Sequence, residues 1–339
     1  MLDLAPDFDF SRYLRVGEVA SARPFVEADI PDPHLASGWG HDGQANYVLS
    51  QVFPNLADAE GHLDSVTYRS RRIVYPALTA WLPDGQPTLI GMWVLNLIAT
   101  GLAAAAIGAL AVRHNASWIA GATVGLTLAF LASMVIDLGD ALGLALAAGG
   151  LYFWRKDRGT AAAIVLFSLA ALTRETTLLI PAAAFLAEGI GRRRFRLIPP
   201  AIIAAWIVVL DITIGDPGKS SAQFRRPFAG WVDQGIATPE ILVASILGVA
   251  SLWLGARLWN VDRTWALIVL FDLAVLIAVD RAVLFNTLNL TRVIPWVIPL
   301  AAIVLSRDRQ AESADKDGLD GERHTMVEGL VDRTALRHA

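Results

Sequence analysis

The chain has 339 residues, of which 55% are hydrophobic and 18% charged, with a formal net charge of −4 and a mean hydropathy of +0.48. Soluble domains carry about 25% charged residues, so this composition argues against a large water-exposed surface. Cysteine is absent, which excludes disulfides, thiolate metal centres and a thiol nucleophile, and nothing in the charge balance points to nucleic acid.

Residues 1–86 are polar and irregular, rich in Pro, Asp and Gly. They hold a short Asp-Gly-Gln element inside "GWGHDGQANYVLSQVFP" (38–54). They also hold "IVYPALTAWLP" (73–83), which is too short to span a bilayer and reads as an interfacial helix or the lip of a cavity. Residues 87–213 are nearly all apolar, 214–240 form a polar loop, and 241–305 are apolar again. The tail, 306–339, is charged and lacks apolar periodicity, so it reads as a disordered or weakly helical extension.

The predicted architecture is all-α, a polytopic transmembrane helical protein with about nine spans and large extracytoplasmic loops. The spans are placed at 87–112, 118–136, 141–154, 160–173, 176–190, 196–213, 241–258, 264–281 and 289–305. Several fall short of about twenty residues, as tilted or broken helices lining a protein interior do. Basic short loops set the orientation. Arg113-His114, "RKDR" (155–158), "GRRRFR" (191–196), "ARLWNVDR" (256–263) and "SRDRQ" (306–310) fall on one side, assigned to the cytoplasm. Residues 1–86 and 214–240 then face outward. Export of the first 86 residues without a leading apolar span predicts a further transmembrane helix upstream.

Ionisable residues in or beside spans are costly and mark functional candidates. On this topology Asp42, Arg71, Arg72, Asp137, Asp140, Arg174, Glu175, Asp280, Arg281, Arg292, Arg225 and Arg226 share the outer side, and Asp272 is the exception, sitting mid-span. Each has an ordinary alternative. Asp42 suits a turn, Arg71 and Arg72 suit snorkelling, and Asp137 and Asp140 suit helix caps. Arg174 and Glu175 suit an internal ion pair, Arg292 a headgroup anchor, and Asn96 a buried hydrogen bond between helices. The functional reading draws on their common side. A carboxylate can take a proton from an acceptor hydroxyl, and arginines can hold a phosphate leaving group through paired hydrogen bonds. Together these groups suit transfer of a sugar from a lipid phosphate. A divalent cation, Mg or Mn, could assist, although no metal-ligand spacing stands out.

The motifs carry a resemblance. "HDGQANYVL" resembles a "YDGQFYY" element, and "YRSRRIVYPALTAW" resembles "YRxQRIxYPxLAW". "LTRET" (172–176), "LNLIATG" near Asn96, "DLGDALG" near Asp137 and the Arg292 of "NLTRVIPWVIPL" follow in the same order. These elements are similar to those of GT-C fold glycosyltransferases that use polyprenyl-phosphate sugars. The likeness is greatest to a bacterial group of integral membrane proteins tied to cell-surface glycopolymer formation, and it covers roughly residues 8–305. The chain departs from that group at Ala45-Asn46, where an aromatic is usual, and at Gly139-Asp140.

The resemblance implies a multi-pass protein of the bacterial inner or plasma membrane, acting at its outer face. Its partners would be a polyprenyl-phosphate sugar donor, a glycan or lipid-linked acceptor, and membrane lipids. Asp42 would be the general base, Gly43 would allow a tight turn, and Gln44 would orient a sugar or phosphate oxygen. Tyr47 and Tyr75 would form an aromatic wall. Arg72 and Arg292 would hold the phosphate, with Arg174 and Arg71 as second choices. Asp137 would belong to the substrate site, and Glu175 and, more weakly, Asp140 would support the base. A lipid-linked saccharide transporter or a non-catalytic assembly partner are the competing readings.

Overall fold

Long apolar runs without two-residue alternation favour helix, which satisfies its own backbone. The computed structural model is accordingly 75% helix and 2% strand. It describes residues 9–136, 138–155, 159–187, 197–215, 226–235, 238–280, 284, 292 and 294–311.

The N-terminal region is more ordered than its composition suggests. It forms short helices α1 (Ser11–Leu14), α2 (Arg23–Asp29), α3 (Asp42–Val52), α4 (Val66–Ser70) and α5 (Val74–Thr79). A two-residue parallel pairing joins β1 (Val16–Gly17) to β2 (Leu35–Ala36). These pieces share a core of Val48, Leu49, Leu56, Ala59, Val66 and Ile73, to which Leu210 adds from a later helix. Polar composition hid this because many of the buried positions are themselves polar or glycine, among them Gly43, Gln44 and Ser50 of α3 and Thr67 and Ser70 of α4.

Apolar helices follow. They are α6 (Gln86–Arg113), α7 (Leu128–Ile136), α8 (Asp140–Trp154), α9 (Thr160–Thr173), α10 (Leu179–Ala187) and α11 (Ile198–Thr213). After them come the short α12 (Ala229–Gln234), then α13 (Pro239–Trp259), α14 (Arg263–Ala278) and α15 (297–311). Helix lies at each of the nine positions expected from the apolar runs. Among the described residues two helices, α6 and α13, are long and apolar enough to cross a membrane. One of the expected segments is broken: Trp118–Leu126 is a 3-10 helix that ends at an extended Thr127 before α7, whereas a 3-10 turn at Glu175–Leu178 runs directly into α10. Helix α15 continues through 306–311, where the tail was expected to begin; the rest of the tail lies outside the described residues.

Helix α8 is the central post, packed against α6 on one side and α9 on the other. Close approach is also built into the 3-10 segment. A Cβ on Gly121 would meet Ala104 O at 2.1 Å and Gly108 N at 2.7 Å, so only glycine fits there. The outward faces are apolar: Ile90, Val94, Leu97, Ile98 and Leu102 on α6, and Leu242, Ile246, Val249 and Leu252 on α13 are exposed.

Charged side chains gather at both ends of α8. At its C-terminal end Arg155 forks onto Asp262 at 2.8 and 2.6 Å. Asp262 in turn caps α14 by accepting from Thr264 N at 2.9 Å and Trp265 N at 3.3 Å. His114 lies 3.5 Å from Asp262 and stacks on Trp265 with ring centroids 4.2 Å apart. Arg257 pairs with Asp308 nearby in sequence to this end, and Ser117 N donates to Ser306 Oγ at 2.8 Å. Members of four predicted cytoplasmic loops thus contact one another. Residues 156–158 and 188–196 of those loops lie outside the described residues.

Candidate functional site

The other end of α8 begins at Asp140, and there the Asp-Gly-Gln element comes to rest. Asp42 is the first residue of α3, where a helix N-terminus favours negative charge. Gly43 makes no turn, contrary to expectation. It lies within the helix, and a Cβ there would sit 2.7 Å from Ile136 O and 2.9 Å from Leu14 O. The glycine therefore lets α3 seat directly on the backbone of α1 and α7, which fixes Asp42.

Gln44 is also corrected. Its Oε1 accepts from Gly17 N at 3.1 Å and its Nε2 donates to Trp39 O at 2.7 Å, so both ends of the amide tie down the preceding loop. Tyr47 and Tyr75 form no aromatic wall, because both are buried. The Tyr47 hydroxyl donates to Asp29 at 3.0 Å and accepts from Gly85 N at 2.9 Å. The Tyr75 hydroxyl donates to Met92 O at 3.0 Å and accepts from Asn96 Nδ2 at 2.8 Å. Asn96 also donates to Ser133 O at 3.0 Å, making the bond between helical segments that its position suggested. These residues brace the site from behind.

The charged candidates come together in one network. Ser65 caps α4 by accepting from Tyr68 N, and the Trp206 indole donates to Ser70 O at 2.9 Å, so α4 is held at both ends. Its Arg69 donates to Asp42 Oδ1 at 2.5 Å and forks onto Asp64 with two bonds of 2.9 Å. Arg72, three residues on, donates to Glu175 Oε2 at 3.0 Å and to Tyr68 OH at 3.1 Å, and lies 3.7 Å from Asp42. Arg292 reaches Asp42 Oδ2 at 3.4 Å and pairs through Nε with Asp140. Arg174 pairs with the other oxygen of Asp140 and donates to Thr176 Oγ1 at 3.2 Å. Four carboxylates therefore alternate with four guanidiniums.

Burial alone would push the Asp42 pKa up. The guanidiniums of Arg69, Arg292 and Arg72 outweigh it and hold the carboxyl well below the usual carboxylate range. The same opposition lowers Glu175, where burial is outweighed chiefly by Arg72, and Asp64, where it is outweighed by Arg69.

Arg69 was not among the sequence candidates. The doublet Arg71-Arg72 drew attention to neighbours in sequence, whereas positions three apart share a helix face. Arg71 forms no ion pair with another described residue; its guanidinium carbon lies 5.9 Å from the Tyr68 ring centroid. Asp137 lies outside the described residues.

Two clefts border the network. One, of about 250 Å³ counting its open mouth, is lined by Asp42, Asn46, Leu49, Tyr68, Arg69 and Arg72, among others. The second, of about 380 Å³ counting its open mouth, is lined by Asp140, Leu144, Arg174, Thr176, Ile180, Asp272, Arg292 and Trp296, among others. Arg292 lines the second cleft and pairs with Asp42, which lines the first. The donor set does not fit a divalent cation. Among the described residues no three His, Asp or Glu side chains gather as metal ligands, and Asp42, Asp140 and Glu175 each already face a guanidinium.

Comparison of the chain with protein-family models, with curated proteins and with solved structures gave no match.

Proposed function

We propose that the chain is a multi-pass membrane glycosyltransferase of the kind its motifs resemble. It moves a sugar from a polyprenyl-phosphate donor to a glycan or lipid-linked acceptor at the extracytoplasmic face. The observation that carries this reading is Asp42, a carboxylate on a cleft wall bracketed by Arg69, Arg72 and Arg292.

In the resting protein three guanidiniums neutralise Asp42 and make it a weak base. A donor phosphate entering the cleft competes for the same guanidiniums. As they turn to the phosphate, the carboxylate loses its counter-charges and its proton affinity rises. Asp42 then takes the proton of the acceptor hydroxyl while that oxygen bonds to the anomeric carbon. The bond from that carbon to the phosphate oxygen breaks, and the polyprenyl phosphate leaves with the electron pair, held by the arginines. Glu175 holds Arg72 in the resting site and competes with the phosphate for it.

Support for membrane placement comes from the apolar outer faces of α6 and α13 and from exposed tryptophans. Trp39 and Trp81 lie near the Asp42 end, and Trp118 and Trp259 near the Asp262 end, as interfacial anchors do. A transporter would call for charges along a path between the two ends; the ion pairs described here cluster at those ends.

The test compares wild type, Asp42→Asn and Glu175→Gln in the native strain, reading surface glycan by mass spectrometry. Loss of one defined sugar in Asp42→Asn cells at normal protein level is expected. Full glycan in those cells overturns the reading.

A further inference from the structure

Three arginines at the Asp262 end of α8 stand outside the Asp42 network and the reaction proposed for it. Arg113 closes α6, Arg263 opens α14 and Arg307 lies in α15. His114 and Asp262 lie 3.5 Å apart and are the chain neighbours of Arg113 and Arg263, which brings those two arginines to one place. Burial lowers the His114 pKa, the Asp262 carboxylate opposes this, and the guanidiniums of Arg155, Arg307 and Arg113 add to the lowering. Arg307 therefore belongs to the same cluster, and the imidazole adds no charge of its own. Asp262 is taken by the fork of Arg155, and Asp308 by Arg257. Arg113, Arg263 and Arg307 are left with no carboxylate partner among the described residues.

Two of these guanidiniums are held in place by aromatic rings. Arg113 donates to Tyr152 O at 3.2 Å, and its guanidinium carbon lies 4.6 Å from the Tyr152 ring centroid. Arg263 lies 5.8 Å from the Trp259 ring centroid. A ring face fixes a cation without neutralising it. Arg263 also stands at the first position of α14, where the helix dipole disfavours positive charge. An anion joining Arg263 there removes that cost. The surroundings favour an anion that carries acyl chains. The exposed apolar faces of α6 and α13 run up to this end and finish at Val112 and Trp259, and Trp118, Ile119 and Leu305 are exposed beside them. A phosphate against the arginines would leave its chains to run along those faces.

We infer that Arg113, Arg263 and Arg307 form a binding site for the headgroup of an anionic phospholipid at the Asp262 end of the protein. Guanidiniums bind phosphate through charge-assisted hydrogen bonds, and basic clusters between helices at a membrane surface take anionic headgroups. The inference requires that the chain sit in a bilayer, but it involves neither Asp42 nor sugar transfer, so it stands or falls apart from the proposed activity.

The experiment uses the full chain, freed of lipid in detergent, and titrates it with phosphatidylglycerol and with phosphatidylcholine of the same acyl chains, counting bound lipid by native mass spectrometry. The first site should prefer phosphatidylglycerol at least about tenfold, given the attraction each surface arginine supplies. Arg113→Gln and Arg263→Gln should each lower that preference roughly fivefold. Arg309→Gln removes an exposed arginine further along α15 and should leave it unchanged. Arg263→Gln decides the matter if Arg113→Gln, which releases the Tyr152 ring, does not fold. Equal binding of the two lipids by wild type overturns the site. The same loss from Arg309→Gln as from the other two variants would mean diffuse surface attraction and also overturns it. Glycerol phosphate binding as tightly as phosphatidylglycerol would make the ligand a soluble phosphate and overturn the lipid.

Discussion

Arg292 pairs with Asp140, 152 positions earlier in the chain, and the same guanidinium reaches Asp42, 250 positions away. One side chain thus ties the start of α3 and the start of α8 to the segment preceding α15. Side-chain exposure is 10% for Arg292 and 7% for Asp140, so the pair is largely out of water. Removing one member of such a pair is more damaging than replacing both, because the survivor is a buried charge without compensation. Asp140→Asn leaves both Arg292 and Arg174 short of a carboxylate. It should cost about 3–5 kcal/mol of stability, read as a lowered unfolding midpoint in detergent, and Asp140→Asn combined with Arg174→Gln should recover part of the loss.

Arg69→Ala tests the electrostatics of Asp42 directly. With Arg69 present the carboxyl is held well below its ordinary value, so a base of this kind stays ionised to low pH. Without Arg69 its pKa rises, and the acidic limb of the kcat/KM profile should move to higher pH. Stability follows the same sign. The contribution from a depressed carboxyl is present above the unfolded pKa of about 3.9 and is lost as pH falls through the folded value. Arg69→Ala should therefore unfold less steeply with acid than wild type. A pH–rate profile unchanged by Arg69→Ala would contradict Asp42 as the base.

The contrast between Arg69 and Tyr47 marks what could be read from sequence. Charged residues stand out in an apolar chain, so Asp42, Arg72, Asp140, Arg174, Glu175 and Arg292 were legible as a group on one side. The apolar runs likewise located the helical segments. Pairing was not legible: Arg69 rather than Arg71 faces Asp42 because α4 turns by helical spacing. Motif residues misled in the opposite way. Gln44, Tyr47 and Tyr75 carry the resemblance, yet their polar atoms are satisfied internally, and a motif does not distinguish a ligand contact from a brace. The turn at Arg174 was legible, between the runs 160–173 and 176–190, whereas the break at Thr127 fell inside a run expected to be one segment, 118–136, and tertiary packing sets its extended conformation.

Tyr47→Phe should act on stability alone. The hydroxyl sits between Asp29 and Gly85 N, and its removal leaves the buried Gly85 N–H without an acceptor and the half-buried Asp29 without a donor. A loss of about 1–3 kcal/mol is expected, with the KM for donor unchanged in the folded fraction. A raised KM with unchanged stability would restore the aromatic wall.

Arg72→Lys addresses the phosphate. The fork of Arg72 diverges toward Glu175, Tyr68 and Asp42, and a single ammonium does not match that pattern. Polyprenyl-phosphate affinity in nanodiscs should fall roughly tenfold although the charge is kept. Glu175→Gln, which removes the carboxylate competing for Arg72, should bind the bare lipid phosphate at least as tightly as wild type while transferring sugar more slowly. Weakened lipid binding in Glu175→Gln would mean that its carboxylate positions Arg72 rather than competes for it.

The two ends of α8 should lie on opposite sides of the membrane. Arg155 and Asp262 join at one end, and Asp140 and Arg292 at the other, separated by a 15-residue helix about 22 Å long. That length is less than the roughly 30 Å hydrocarbon core, but charged residues at both ends can snorkel and the bilayer can thin locally. The absence of native cysteine makes the test clean, because any thiol is an introduced one. Glu60 is exposed beside the Asp42 end and Gln310 is exposed at the end of α15 near Asp308. Glu60→Cys should react with an impermeant maleimide in intact cells, whereas Gln310→Cys should react only after permeabilisation. The reverse pattern would place Asp42 in the cytoplasm, where soluble nucleotide sugars are available, and would remove the reason for a lipid-linked donor. Labelling of both in intact cells, at full membrane integrity, would show that α8 does not separate two compartments.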